Sequence, residues 1–155
     1  MLTRLAKRIS PLGWRVQILM TGDQIATHEA VVRALPTKLV IDHLGRIPQP
    51  DGVRHPAFAA VRRMLDEGQT WVKVTEPYED SKLGPPYADS SEVARAYVQA
   101  APQRILWGTD WPHPTQHDTK PTRCSSICRP IGRRTRKRAV VSWLKTQPNC
   151  SATSH

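Results

Sequence analysis

Four short apolar runs, each set off from the next by a stretch long enough for a helix, restrict this 155-residue chain more than any other feature. The runs are Trp14–Leu19, Leu39-Val-Ile41, Trp71-Val-Lys-Val74 and Ile105-Leu106-Trp107. All are short, rich in β-branched and aromatic residues and bounded by turn formers, so they read as strands. Between the first and second, Thr21-Gly-Asp-Gln24 has capping-box spacing and predicts a helix over about 23–34, ended by Pro36. Between the second and third, Phe58, Val61, Met64 and Leu65 recur at helical spacing up to Gly68. Before the fourth, Asp89-Ser-Ser-Glu92 predicts the cap of a helix presenting Val93, Tyr97 and Ala100. Alternation of this kind calls for a parallel sheet, because parallel neighbours need a crossover and helices supply it. The expected fold is α/β, and four such units amount to half of a (β/α)8 barrel.

A parallel sheet of this type carries its chemistry just beyond the C-terminal ends of its strands. Four chemically suggestive residues fall there: His43, Arg46, Tyr78 and Asp110. Asp110 follows a run short enough for a strand buried on both faces, which stops at Gly108, and Pro112 and Pro114 stiffen the exit. Two readings of Asp110 stand side by side, a turn cap and a catalytic carboxylate. Likewise His43 either closes its strand by bonding to backbone or acts on substrate, and Arg46 is either a solvated loop charge or an anion anchor. The segments 47–56 and 75–88 read as loops, and residues 2–9 as the last turns of an amphipathic helix ended by Pro11 and Gly13.

Charge divides the chain in two. Residues 1–114 hold 14 Lys and Arg against 12 Asp and Glu, whereas residues 115–155 hold 9 against the single acid Asp118. Cys124, Cys128 and Cys150 all lie in the second part, so no disulfide framework is implied, and a thiol-free first part suits a reducing, cytoplasmic setting. The expected boundary is at 114, with 115–155 a basic, disordered tail, and a shift of reading frame would account for the change of composition. The run Gly132-Arg-Arg-Thr-Arg-Lys-Arg138 has the charge of a nucleic-acid patch, but no aromatic interleaving accompanies it, and a solvated tail is the preferred reading. Cys124, Cys128, Cys150 and His155 lack the paired spacing of a zinc site. Nothing in the chain reads as a signal peptide or a membrane span, so no membrane partner is expected.

Five blocks, Gly-Trp-x-Val-Gln (13–17), Val-Ile-Asp-His-Leu-Gly-Arg (40–46), Trp-Val-Lys-Val (71–74), Pro-Pro-Tyr-Ala-Asp (85–89) and Arg-Ile-Leu-Trp-Gly-Thr-Asp-Trp-Pro-His-Pro (104–114), resemble the amidohydrolase-related (amidohydrolase 2) family. The pattern is most similar to the 2-pyrone-4,6-dicarboxylate lactonase-like hydrolases, and it covers roughly residues 5–114 in order. The resemblance implies a (β/α)8 TIM barrel represented by its fifth to eighth strands. It implies a small-molecule substrate, a carboxylated ring compound, opened by water. Asp110 matches the strand-eight carboxylate that takes a proton from that water, His43 the histidine after strand six, and Arg46 the arginine that grips a substrate carboxylate; Tyr78, placed by its own position just after a strand, is expected to bind substrate beside Arg46.

Three departures accompany the resemblance. The family's His-x-His pair on the first strand has no counterpart, and the chain reads as starting after that strand. The strand-seven loop, usually Lys-Leu-Ser-Gly followed by Tyr-Arg, is Lys73-Val-Thr-Glu76-Pro-Tyr78-Glu79, so a second gripping arginine is replaced by an acid that repels an anionic substrate. The end of strand five, Leu19-Met20, offers no histidine. A divalent metal such as zinc belongs to the wider superfamily, but His43 and Asp110 are two ligands where catalytic zinc takes three, so no metal is assigned. The expectation is an impaired hydrolase of this family that self-associates through open barrel edges, set against a non-catalytic barrel fragment whose basic tail binds nucleic acid or acidic partners.

Overall fold

The computed structural model describes residues 1–111. Helix α1 (Leu2–Ile9) is followed by β1 (Arg15–Ile18), α2 (Gly22–Arg33), β2 (Lys38–Ile41), α3 (Pro56–Asp66), β3 (Thr70–Val74), the short α4 (Pro77–Asp80), α5 (Ala88–Ala100) and β4 (Ile105–Trp107). The strands form one sheet in the order β1-β2-β3-β4, every pair parallel, with Ile18 beside Ile41, Ile41 beside Val72 and Val74 beside Trp107. All four predicted strands are present, in the predicted arrangement.

Local chemistry accounts for most boundaries. The Thr21 hydroxyl accepts from the Gln24 backbone N–H while the Gln24 side chain accepts from the Thr21 N–H, the reciprocal box expected at the start of α2. Pro56 opens α3, where its missing N–H costs nothing, and Gly68 follows its end with φ 83. The two longest described helices do not both start as the sequence suggests. Asp89 lies inside the first turn of α5, and the residue before that helix is Tyr87, in left-handed backbone. The Asp89 carboxylate serves the preceding loop instead, accepting from the Ser81 hydroxyl and the Lys82 N–H as well as from its neighbour Ser90. Nor is 75–88 wholly loop, since Pro77 initiates the one-turn helix α4.

The helices cover one face of the sheet. Ile25, Ile41, Val61, Met64, Leu65, Val72, Val93 and Tyr97 are all under 2 % exposed and form one apolar cluster with Val16 and Ile18. Phe58 leans on that cluster, its ring stacked on Tyr97 with centroids 5.0 Å apart. Strand side chains alternate accordingly: in β3, Thr70, Val72 and Val74 are buried, whereas Trp71 and Lys73 point to the other face and are half-buried. Arg15 lies over the Trp71 ring on that second face, 4.7 Å from its centroid.

β4 departs from expectation. Ile105 and Leu106 are half-buried and Trp107 is exposed, so this is not a strand enclosed on both faces. It is an edge strand, bonded to β3 and to no other described strand. The predicted boundary at 114, Pro112 and Pro114, the cysteines and the basic run all lie outside the described residues. No described helix is long and apolar enough to cross a membrane.

Candidate active site

The C-terminal ends of β2, β3 and β4 converge on one cluster of ionisable side chains. His43 lies two residues past β2, in a 3-10 turn, and its Nδ1 is 2.8 Å from the Thr75 hydroxyl. The same nitrogen is 3.2 Å from a carboxylate oxygen of Glu76, two residues past β3, and 3.8 Å from one of Asp110, three residues past β4. Tyr78, at the start of α4, donates its phenolic proton to the other oxygen of Asp110 over 2.5 Å. The structure therefore brings three of the four predicted residues, His43, Tyr78 and Asp110, into contact.

Close approach of backbone makes this possible. A Cβ on Gly108 would sit 2.9 Å from the Thr75 methyl, so a larger residue at 108 would push on the hydroxyl that holds His43. A Cβ on Gly22 would come within 2.9 Å of the Arg46 carbonyl, to which the Gly22 N–H donates. His43, Glu76 and Asp110 all have left-handed backbone, with φ 46, 54 and 59. Asp tolerates that region, but for His and Glu it is uncommon, and such outliers concentrate at functional sites.

Arg46 is held differently. Its Nε donates to both oxygens of Asp80, at 2.9 and 3.0 Å, and its Nη2 reaches Glu79 at 3.4 Å. The expected substrate anchor is thus already neutralised by the chain's own acids, and Glu79, expected only to repel an anion, is one of them. Burial pushes the Asp80 carboxyl above its ordinary range against the opposing pull of the Arg46 hydrogen bond.

Sequence reasoning missed three participants. Thr75 orients His43, and Asp42, buried beside it, accepts from the Gln17 amide at 2.6 Å and pairs with Lys73 at 3.4 Å. Glu76 matters most. It is 6 % exposed, and burial raises its carboxyl above the ordinary range, with the charge of His43 opposing that rise and the charge of Asp110 adding to it. The signal for it was available, because Glu76 stands where the resembled family has glycine, and its left-handed backbone is one that glycine prefers.

His43, Glu76 and Asp110 each offer one donor atom, and these atoms lie within 4.8 Å of one another. The sequence offers two ligands, His43 and Asp110; the structure supplies three, the number usual for a catalytic divalent site, from imidazole and carboxylates that suit first-row cations. A cavity of 440 Å³ opens at the opposite end of the sheet, lined by Trp14, Leu35, Leu39 and Thr70, but the convergent ionisable groups are not there. Chemistry, not volume, therefore locates the site.

A four-stranded parallel sheet with a His–Glu–Asp cluster beyond the C-terminal ends of its strands defines an α/β protein that gathers its ionisable groups at the strand ends. Residues 1–141 match the model of the Amidohydrolase family, and the chain belongs to that family. A 2-pyrone-4,6-dicarboxylate hydrolase of Comamonas testosteroni is 38% identical over 129 residues, covering 77% of this chain and 42% of the relative. A 4-sulfomuconolactone hydrolase of Hydrogenophaga intermedia is 32% identical, covering 76% of this chain and 39% of the relative. Among solved structures, an Agrobacterium tumefaciens protein in its apo form superposes with a TM-score of 0.68 at 26% identity, covering 89% of this chain and 46% of that one. An amidohydrolase of Burkholderia multivorans with bound zinc, 18% identical, shares the fold with a TM-score of 0.63, covering 92% of this chain and 48% of that one. The chain thus spans about two fifths of the length of the curated relatives it matches.

Proposed function

We propose that this chain supplies a hydrolytic mouth for lactones or related cyclic esters and amides, built on the fifth to eighth strands of a (β/α)8 barrel. The observation that carries the reading is the convergence of His43, Tyr78 and Asp110 beyond successive parallel strands. Asp110 is the base: with one oxygen held by the Tyr78 hydroxyl, the other is left facing His43, placed to take a proton from an attacking water. His43, oriented by Thr75, donates to the ring carbonyl oxygen as it gains charge; as the water oxygen bonds to the carbonyl carbon the ring C–O or C–N bond breaks, and the proton taken by Asp110 passes to the leaving heteroatom, giving one open-chain acid. A divalent cation, where bound, would polarise that carbonyl; His43, Glu76 and Asp110 are the residues that would hold it.

Two relatives bear names that refer to rings carrying carboxylate or sulfonate groups, and a carboxylated ring is the substrate class this reading takes from them. Arg46 could anchor such a group only by exchanging Asp80 and Glu79 for it, which makes binding weak. Residues 115–155 are read as a basic appendage to the barrel portion, without a nucleic-acid role, and β1 and β4 as open edges through which copies associate. A reducing, cytoplasmic setting belongs to the same reading, with which the thiol-free residues 1–114 are compatible.

The test is hydrolysis of 2-pyrone-4,6-dicarboxylate and of uncharged lactones by the purified chain. Slow turnover is expected, lost in Asp110→Asn. The occupation of Arg46 by Asp80 and Glu79 favours a second reading, a non-catalytic barrel fragment with a basic tail that binds acidic partners. Turnover of no lactone, or turnover indifferent to Asp110→Asn, would establish that reading in place of the first.

A further inference from the structure

Three loops deliver an imidazole and two carboxylates to one point, in a mouth where acids outnumber cations. The mouth holds five acids, Asp42, Glu76, Glu79, Asp80 and Asp110, against the fixed cations Arg46, Lys73 and Lys82. Arg46 is hydrogen-bonded to Asp80 and Glu79, and Lys73 lies against Asp42. Glu76 and Asp110 both face His43, a residue that carries charge only when protonated, while the charge of Arg46 also acts on Glu76 and Tyr78 donates to Asp110. Glu76 is meanwhile 6 % exposed, and removing a carboxylate from water is costly unless a counter-charge replaces the water.

We propose that His43, Glu76 and Asp110 form a binding site for one divalent first-row cation, in which Glu76 is the ligand peculiar to this chain. The three donor atoms lie within 4.8 Å of one another, and donors at about 2.0–2.2 Å from a shared ion stand about 3–4 Å apart. Side-chain rotation of less than about an ångström closes the difference, which rotamer adjustment of Glu76 and Asp110 provides. His43 Nδ1, which faces both carboxylates, would exchange its Thr75 contact for the ion, and Tyr78 fixes one oxygen of Asp110 while leaving the other to the ion. A bound cation would also cancel much of the negative charge that otherwise repels a carboxylated ring, so the site deepens the hydrolytic reading. Cation binding itself needs no turnover and stands independently of it.

Mn²⁺ is the probe of choice. Cys124, Cys128 and Cys150 would compete for zinc, whereas Mn²⁺ prefers carboxylate and imidazole over thiolate. The purified full chain, stripped with chelator, is titrated while the electron paramagnetic resonance signal of free Mn²⁺ is followed. Loss of signal equivalent to one ion per chain is expected, together with a rise in thermal midpoint. Glu76→Gln, Glu76→Gly and His43→Ala should each weaken binding by about tenfold or more, whereas the surface variant Asp66→Asn should not. Glycine relieves the left-handed backbone, so Glu76→Gly provides a folded variant even if Glu76→Gln does not fold. A chain that takes up no Mn²⁺, or a folded Glu76 variant that binds as the unaltered chain does, overturns the site. Either result leaves the Asp110 hydrolysis assay to decide the function by itself, and Mn²⁺ binding without turnover would reject the hydrolytic reading while keeping the site.

Discussion

In chelator, Glu76→Gly should make the chain more stable, although it removes a buried, contacted side chain. The backbone contribution comes first: at φ 54 and ψ 45 an L side chain is strained, and glycine relieves about 1–2 kcal/mol, of which its own freedom in the unfolded chain takes back up to about 1 kcal/mol. Electrostatics adds a second contribution. The carboxylate is buried beside Asp110, so its removal recovers desolvation and repulsion, and loses the 3.2 Å contact with His43. If those electrostatic effects cancel, the net gain is about 1 kcal/mol, or about 4 °C in thermal midpoint for a domain of this size. Urea unfolding followed by tryptophan fluorescence and far-ultraviolet circular dichroism measures it, provided the denaturant slope is unchanged. A loss of about 1 kcal/mol or more would refute the reasoning, because it would make the Glu76–His43 contact a net structural tie rather than a strained ligand pair.

Two further outcomes follow from the same kind of accounting. Tyr97→Phe should be neutral or stabilising by about 1 kcal/mol, since the hydroxyl is buried without a hydrogen-bond partner while the ring keeps its stacking on Phe58. Destabilisation by more than about 1 kcal/mol in the same urea experiment would show that the hydroxyl is bonded after all. Burial acts to raise the Asp89 carboxyl, but hydrogen bonds from Ser81, Lys82 and Ser90 outweigh it and hold the group below its ordinary value of 3.8. A carboxylate lowered on folding stabilises the protein above its unfolded pKa, and that contribution is lost as pH falls through the folded value. Asp89→Asn should therefore lower stability at neutral pH and flatten the decline in stability below about pH 4; an unaltered acid-side slope would count against the role given to those bonds.

The legible parts of the fold are those where one residue type suffices to decide. Thr21 and Gln24 announce the start of α2 because a hydroxyl and an amide three residues apart can bond only in one way there. The four strands are legible because apolar runs of that length, spaced by helices, have few alternatives. Asp89 misleads for the opposite reason. Asp, Ser and Glu at capping spacing serve a loop as well as a helix end, and only the approach of Ser81 and Lys82 shows which of the two Asp89 serves. β4 misleads because its composition is that of an enclosed strand, while its exposure depends on which strands stand beside it.

The site divides along the same line. Asp110 and His43 are legible because each follows a strand, but their ring of partners is assembled from residues more than thirty positions apart, which no local pattern reveals. Arg46 is the clearest case: its position past β2 marks it as an anion anchor, and nothing local indicates that Asp80 will already occupy it. A usable signal does exist. In a parallel sheet, residues at similar offsets beyond adjacent strands must come close, because the strands share one direction and one register. His43 and Glu76 both stand two residues beyond their strands, and Asp110 stands three beyond its own. An ionisable residue at that offset on three adjacent strands is thus a cluster before any coordinates are known. Glu76 meets that offset as His43 and Asp110 do, so the third donor is legible in the sequence.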